Sequence, residues 1–157
     1  MTLHSFEQEQ PLPISRKDAW DFFSTARNLS KLTPPEIAFE IVSQPGEKLY
    51  DGQIICYRMK VLPLIWMRWV TEIKSVEEGK SFVDEQRSGP YKFWHHRHTF
   101  EDAEGGVLMR DHVHYAVGFG LFGAIAHTLF VRQKLVEIFN FRRQALIKLF
   151  GEMSTGQ

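Results

Sequence analysis

Five of the chain's seven histidines fall between Trp94 and Tyr115. Imidazole titrates near neutral pH and ligates transition metals, so this stretch is where chemistry is first sought. Trp94, His96, His98 and Phe100 share one parity, and Val107, Met109, Asp111, Val113 and Tyr115 share another. Two strands of a hairpin with these sets facing each other bury one side of a sheet. With the turn centred between Ala103 and Glu104, Trp94 lies opposite Val113, Phe100 opposite Val107, and His96 opposite Asp111. The expectation is an inward His96–Asp111 pair with His98 beside it. Such a group is a satisfied structural network, because buried polar groups must be hydrogen-bonded. Alternatively it is a polar anchor or acid–base pair inside an apolar cavity, the carboxylate orienting the imidazole. His96 and Asp111 are the catalytic candidates, and neither is assigned firmly.

The same register sets His95 opposite His112 on the outer face, with His114 one step along and Arg97 facing Arg110. Three imidazoles suit zinc or nickel. With arginines adjacent and no carboxylate or thiolate expected on that face, the reading is a polar surface with titrating histidines. No metal and no cofactor is expected.

The elements that must position these residues follow from periodicity. His4 to Gln10 reads as a strand ended by Pro11 and Pro13. Ser15 with Asp18 reads as a helix cap before Ala19, Trp20, Phe22 and Phe23, and a second short helical piece starts at Asn28. From Ile37 to Tyr115 the period is two, with odd positions inward in the early strands: Ile37, Phe39 and Ile41, then Ile55, Tyr57, Met59 and Val61, then Ile65, Met67, Trp69, Thr71 and Ile73. Three further strands follow, Ser81 to Arg87, Tyr91 to Glu101 and Val107 to Val117, making an antiparallel meander. Phe82 or Val83 faces inward, the parity of that strand being left open by the turn at Ser88 to Pro90. Beyond Gly118-Phe119-Gly120, a stretch with the composition of a gate or a plain turn, the period is helical to about Phe150. Its stripe is Phe122, Ile125, Leu129, Val136, Phe139, Leu146 and Phe150. Arg142 reads either inward, toward Asp111, Asp84 or a ligand carboxylate, or outward as part of an end-of-helix pair with Arg143.

The 157 residues fit one domain, taken as 1–152 with a disordered tail over 153–157. Nineteen basic and nineteen acidic side chains give no net charge, which disfavours a general nucleic-acid binder. Cys56, the single cysteine, permits no internal disulfide, and the polar N-terminal residues lack a secretory layout, so a cytoplasmic protein is expected. The most apolar window, Ala116 to Val131, holds three glycines and a histidine and is too short for stable membrane insertion. The 21 aromatic residues are a large complement of rings for one small core.

Several strings resemble the SRPBCC, or START-like helix-grip, superfamily and within it a bacterial subgroup of uncharacterised ligand-binding proteins. They are Asn28-Leu29 with Leu32-Thr33-Pro34-Pro35, and Phe82-Val83-Asp84-Glu85-Gln86 with Gly89-Pro90. Trp94-x-His96-x-His98-x-Phe100, Asp111-x-Val113-x-Tyr115 and Ile138-Phe139-x-Phe141-Arg142 continue the likeness, which runs from about Phe6 to Phe150. The resemblance implies an α+β helix-grip fold: a curved antiparallel seven-stranded sheet wrapped around a long C-terminal helix, with two short helices between strands 1 and 2. It also implies a tunnel between sheet and helix, used in the superfamily for lipids, sterols, polyketides and plant hormones.

Parity and resemblance together nominate the tunnel lining. Tyr57, Met59, Trp69 and Thr71 come from the early strands, and Trp94, His96, His98, Asp111, Val113 and Tyr115 from the last hairpin. Phe122, Phe139 and Arg142 come from the helix side. The function expected is binding or carriage of an apolar small molecule such as a lipid, isoprenoid, polyketide or aromatic metabolite. One alternative is a cyclase or dehydratase using His96 and Asp111. Another is an interaction module or homodimer surface formed by Phe122, Phe130, Phe141 and Ile147. A core filled by its own rings, without a cavity, is the plain competing reading.

Overall fold

The computed structural model describes residues 2–43, 45–62, 65–118 and 130–153. The elements in order are β1 (His4–Leu12), α1 (Arg16–Phe23), two 3-10 turns (Ala26–Leu32 and Pro35–Ile37), β2 (Glu40–Ile41), β3 (Ile54–Leu62), β4 (Ile65–Glu77), β5 (Ser81–Ser88), β6 (Phe93–Ala103), β7 (Gly106–Ala116) and α2 (Arg132–Phe150). The strands form one antiparallel seven-stranded sheet in the order β1-β7-β6-β5-β4-β3-β2. With α2 lying on its inner face, this is the expected helix-grip architecture. Residues 119–129, including Phe122, Ile125 and Leu129, and the tail beyond Met153 lie outside the described residues. Among the described residues no helix is long and apolar enough to cross a membrane.

Local chemistry explains the frame. Ser15 Oγ accepts from the Asp18 backbone N–H at 3.0 Å, capping α1, whose Ala19, Trp20 and Phe23 enter the core. β1 continues through Pro11 to Leu12 rather than ending before it, because it is the sheet's edge strand and a missing N–H there breaks no ladder. The expected strand at Ile37 to Ile41 shrinks to Glu40–Ile41. Pro35–Ile37 turns as a 3-10 helix, and Ala38 sits in the left-handed region at φ 45°.

The β6–β7 register differs from expectation by two residues. Trp94 pairs with Tyr115, His96 with Val113, His98 with Asp111 and Ala103 with Gly106. The turn is the two residues Glu104-Gly105, with Gly105 at φ 81°, a backbone geometry glycine adopts without strain. A slip of two preserves every face, so the inward set stands although its opposite numbers change. On the outer face His95 meets His114, Arg97 meets His112 and Thr99 meets Arg110.

Helix α2 is tied to the edge strand. Gln8 and Gln10 side chains donate to the carbonyls of Phe139 (3.2 Å) and Arg143 (3.1 Å), and Arg143 donates to the Glu9 carbonyl at 2.8 Å. Its buried residues are Leu135, Phe139, Arg142 and Leu146, spaced four, three and four apart along one helical face. Val136, expected in the stripe, is instead 39% exposed. Leu146→Ala should therefore cost about 2–5 kcal/mol in chemical denaturation, and Val136→Ala no more than about 0.5 kcal/mol. Equal effects would contradict this helix phase.

Candidate functional site

Three strands and one helix bring five ionisable groups together on the inner face. β6 supplies His96 and His98, β7 supplies Asp111, β5 supplies Asp84 and α2 supplies Arg142. His96, His98, Asp111 and Arg142 are buried. His96 Nε2 lies 2.8 Å from Asp111 Oδ1, and its Nδ1 lies 3.2 Å from Asp84 Oδ2. His98 repeats the arrangement, with Nε2 2.8 Å from Asp84 Oδ2 and Nδ1 3.1 Å from Asp111 Oδ1. The two imidazoles lie 3.8 Å apart between their centroids. Trp94 Nε1 donates to Asp84 Oδ1 at 2.9 Å, and Arg142 Nη2 lies 3.3 Å from Asp111 Oδ1. The expected His96–Asp111 pair is thus formed, diagonally across the ladder, since His98 is the residue directly opposite Asp111. Arg142 takes the inward of its two readings, packing over the rings of Phe23 and Phe139.

The electrostatics follow from burial against pairing. Burial works to raise both carboxyls, but the charge and hydrogen bonds of His96 and His98 hold Asp84 well below the usual carboxylate range. For Asp111 the Arg142 charge acts first in the same direction, followed by both imidazoles. Burial works to lower His96, and the neighbouring Asp84 and Asp111 outweigh it, so its pKa is raised. Two carboxylates against one guanidinium leave an excess of negative charge, in keeping with the upward shift of His96.

Asp84 was absent from the sequence-nominated lining. Phe82 and Val83 are adjacent apolar residues, so parity gave β5 no phase; the structure turns Phe82 inward onto His98 (centroids 4.3 Å apart) and Asp84 with it. Asp84 also differs from its partners in access. Its side chain keeps 22% exposure, against 5% for His96 and 5% for Asp111. Asp84 is thus the most accessible of the five ionisable side chains.

The remaining nominated residues divide into two groups. Trp94, Val113, Tyr115 and Phe139 pack as one cluster with Leu135, and Phe6, Trp69 and Tyr91 pack against it, the Phe6 ring 4.6 Å from that of Phe139. Tyr57 and Thr71 are buried on β3 and β4. Burial first, and the Asp84 charge second, push the Tyr57 phenol upward. Met59, Met67 and Trp69 face the same side but remain half-buried, as do Gln86 and Tyr91. Tyr91 is fixed there by backbone bonds in both directions to the Gln86 amide and by ring contact with Trp69 and Trp94. Phe122 falls outside the described residues. Of the residues named for a partner surface, Phe130 is 69% and Phe141 36% exposed, whereas Ile147 is half-buried.

On the outer face carboxylates are present after all. Glu7 lies 3.1 Å from His112, and Arg110 bonds Glu9 and Glu101 at 2.5 Å each. Partial burial and the nearby His112 and His95 hold His114 below its ordinary value. Two rim clefts of about 400 and 390 Å³ share Arg16 and Asp102, and neither includes a nominated site residue.

No family model matches the chain, and no curated protein does. Solved structures do. The di-domain ARO/CYC StfQ from the steffimycin biosynthetic pathway is 13% identical, with a TM-score of 0.72 over 95% of this chain and 50% of that one. A norcoclaurine synthase point mutant from Thalictrum flavum, in complex with a transition-state analogue, is 14% identical at TM-score 0.64, over 94% and 96% of the two chains. A nucleoside-diphosphate sugar epimerase from Corynebacterium glutamicum is 26% identical at TM-score 0.64; the match takes in 91% of this chain and only 28% of that one. These likenesses show the fold alone, the helix-grip arrangement of one antiparallel sheet around a long C-terminal helix.

The buried cluster has consequences for stability. Asp111→Ala leaves Arg142 and His96 without their common partner and should cost roughly 3–5 kcal/mol in denaturant titrations; a loss under about 1 kcal/mol would contradict the pairing. Because the folded pKa of His96 is raised, its contribution is complete below about 6.5 and is lost as pH rises through the folded value. Asp84, Asp111, His98 and Arg142 are the groups that face it. Unfolding free energies measured from pH 6 to 9 should fall more steeply with rising pH in the wild type than in His96→Gln, and parallel curves would contradict the assignment.

Proposed function

We propose that this SRPBCC-fold chain binds an apolar small molecule in an interior space at the β3–β5 end of the sheet. The observation that carries the reading is the partial exposure of inward-facing Met59, Trp69, Asp84 and Tyr91, on a face whose other end is closed by α2. Sulfur, indole and phenol rings give a ligand dispersion surface, and Asp84 with its two imidazoles gives one polar end. Lipids, isoprenoids, polyketides and aromatic metabolites bearing one hydroxyl or carbonyl fit that chemistry. The Thalictrum synthase, solved with a transition-state analogue, is a case of this fold holding a small molecule.

A cyclase or dehydratase built on His96 and Asp111 has less support. Both are sealed, and Asp111 is committed to Arg142 as well, so neither offers a free atom to a substrate. Any acid–base role in this site falls to Asp84, which reaches the space.

The test is native mass spectrometry of the protein purified from its own host, with extraction of whatever is bound, and a thermal-shift screen over apolar compounds. A co-purifying apolar species, or compounds that raise Tm in the wild type and lose that effect when Met59→Trp fills the space, is the expected outcome. Reproducible absence of both would sink the proposal.

A further inference from the structure

Two imidazoles and a carboxylate converge in the inner cluster in a way that hydrogen bonding alone does not require. Asp84, His96 and His98 each offer one ligand atom, and these atoms lie within 4.8 Å of one another. His96 Nδ1 and His98 Nε2 approach the same oxygen, Asp84 Oδ2, at 3.2 and 2.8 Å. Donors about 2.0–2.2 Å from a shared metal, at tetrahedral or octahedral angles, stand roughly 2.9–3.4 Å from each other. The two separations from Asp84 Oδ2 are close to that range, and all three donors lie within 4.8 Å of one another.

The surroundings of these donors are also those of a metal centre. Both remaining imidazole nitrogens, His96 Nε2 and His98 Nδ1, lie against one carboxylate oxygen, Asp111 Oδ1, at 2.8 and 3.1 Å. A ligating histidine holds its other nitrogen on a carboxylate in this manner, which fixes the tautomer and the ring. The oxygen of Asp84 not offered to the imidazoles is held by Trp94 Nε1 at 2.9 Å. Arg142, the one guanidinium of the group, lies on Asp111 at 3.3 Å, and 3.5 Å from His98 Nδ1, on the side of that ring opposite the donor Nε2. Asp84 keeps 22% side-chain exposure, so the group of donors is not sealed on that side.

We propose that Asp84, His96 and His98 bind one divalent first-row transition-metal ion, with Asp111 as the carboxylate that orients both imidazoles. Two nitrogens and one oxygen suit zinc, iron, cobalt or nickel rather than magnesium or calcium. The site stands apart from the apolar-ligand reading, since it needs no organic ligand. It also differs from the outer-face histidines, on which a metal was first considered.

The test uses the tag-free full-length chain, stripped with chelator and titrated with Co2+ and then Zn2+. One equivalent of Co2+ should give visible d–d bands that Zn2+ displaces. His95→Ala/His114→Ala, on the outer face, should bind as the wild type does. Asp111→Asn should keep the stoichiometry with an affinity about 10–100-fold weaker, and Asp84→Ala should lose saturable binding. Should these buried variants fail to fold, proton NMR of the wild-type Co2+ protein decides: two strongly shifted, slowly exchanging imidazole N–H signals are expected, from His96 Nε2 and His98 Nδ1. Absence of saturable binding, or signals that disappear with the outer-face substitutions, would overturn the proposal.

Discussion

Charge neutrality inside an apolar interface is the constraint on which the rest of the molecule depends. Two carboxylates, Asp84 and Asp111, sit between a sheet and a helix lined with aromatic rings. An unpaired charge at that depth costs several kcal/mol, so each must meet a cation or hydrogen-bond donors at close range. That requirement reaches every neighbouring element. β6 must hold two histidines on one face, β5 must turn Asp84 toward them, and α2 must lie in the phase that brings Arg142 onto Asp111. Register, strand parity and helix rotation are thereby coupled through one group of side chains.

The cluster also divides the interior. On the α2 side, Phe6, Trp94, Val113, Tyr115 and Phe139 close over it, and the polar atoms there are saturated by one another. Toward β3–β5, Met59, Trp69 and Tyr91 remain half-buried, as does Asp84, although Trp69 and Tyr91 also touch that apolar cluster. The proposed binding site takes its apolar body and its one polar end from this asymmetry. Its polar end is held rigid by Trp94 and the imidazoles, and its apolar walls belong to β3, β4 and the turn after β5. The fold's span among solved structures, from a pathway ARO/CYC to a plant synthase, fits a scaffold whose chemistry resides in such local choices.

Much of this was legible in the sequence, for a physical reason in each case. Period-two alternation in β3, β4, β6 and β7 places side chains on faces irrespective of register, so His96, His98 and Asp111 were assigned inward although the hairpin slipped by two. The slip itself turned on whether the two-residue turn is Ala103-Glu104 or Glu104-Gly105, which apolar patterning does not report. Asp84 went unnominated because Phe82-Val83 carries no alternation. The helix phase was misread at Val136 because the true stripe, Leu135, Phe139, Arg142 and Leu146, has an arginine in its middle. A hydrophobicity pattern discounts that residue, and only its pairing with Asp111 explains its burial. Functional polar groups in a core are where pattern reading fails, because their burial is decided by partners distant in sequence.

The central claim is that a space begins at Asp84 and is bounded by Met59, Trp69 and Tyr91. A high-resolution crystal structure of the protein purified from its own host tests it most directly. The account predicts non-protein density, or ordered water, within hydrogen-bond distance of Asp84 and enclosed by those three side chains. Trp69 and Met59 closed in van der Waals contact over the Asp84 carboxylate, with no room between them, would contradict it.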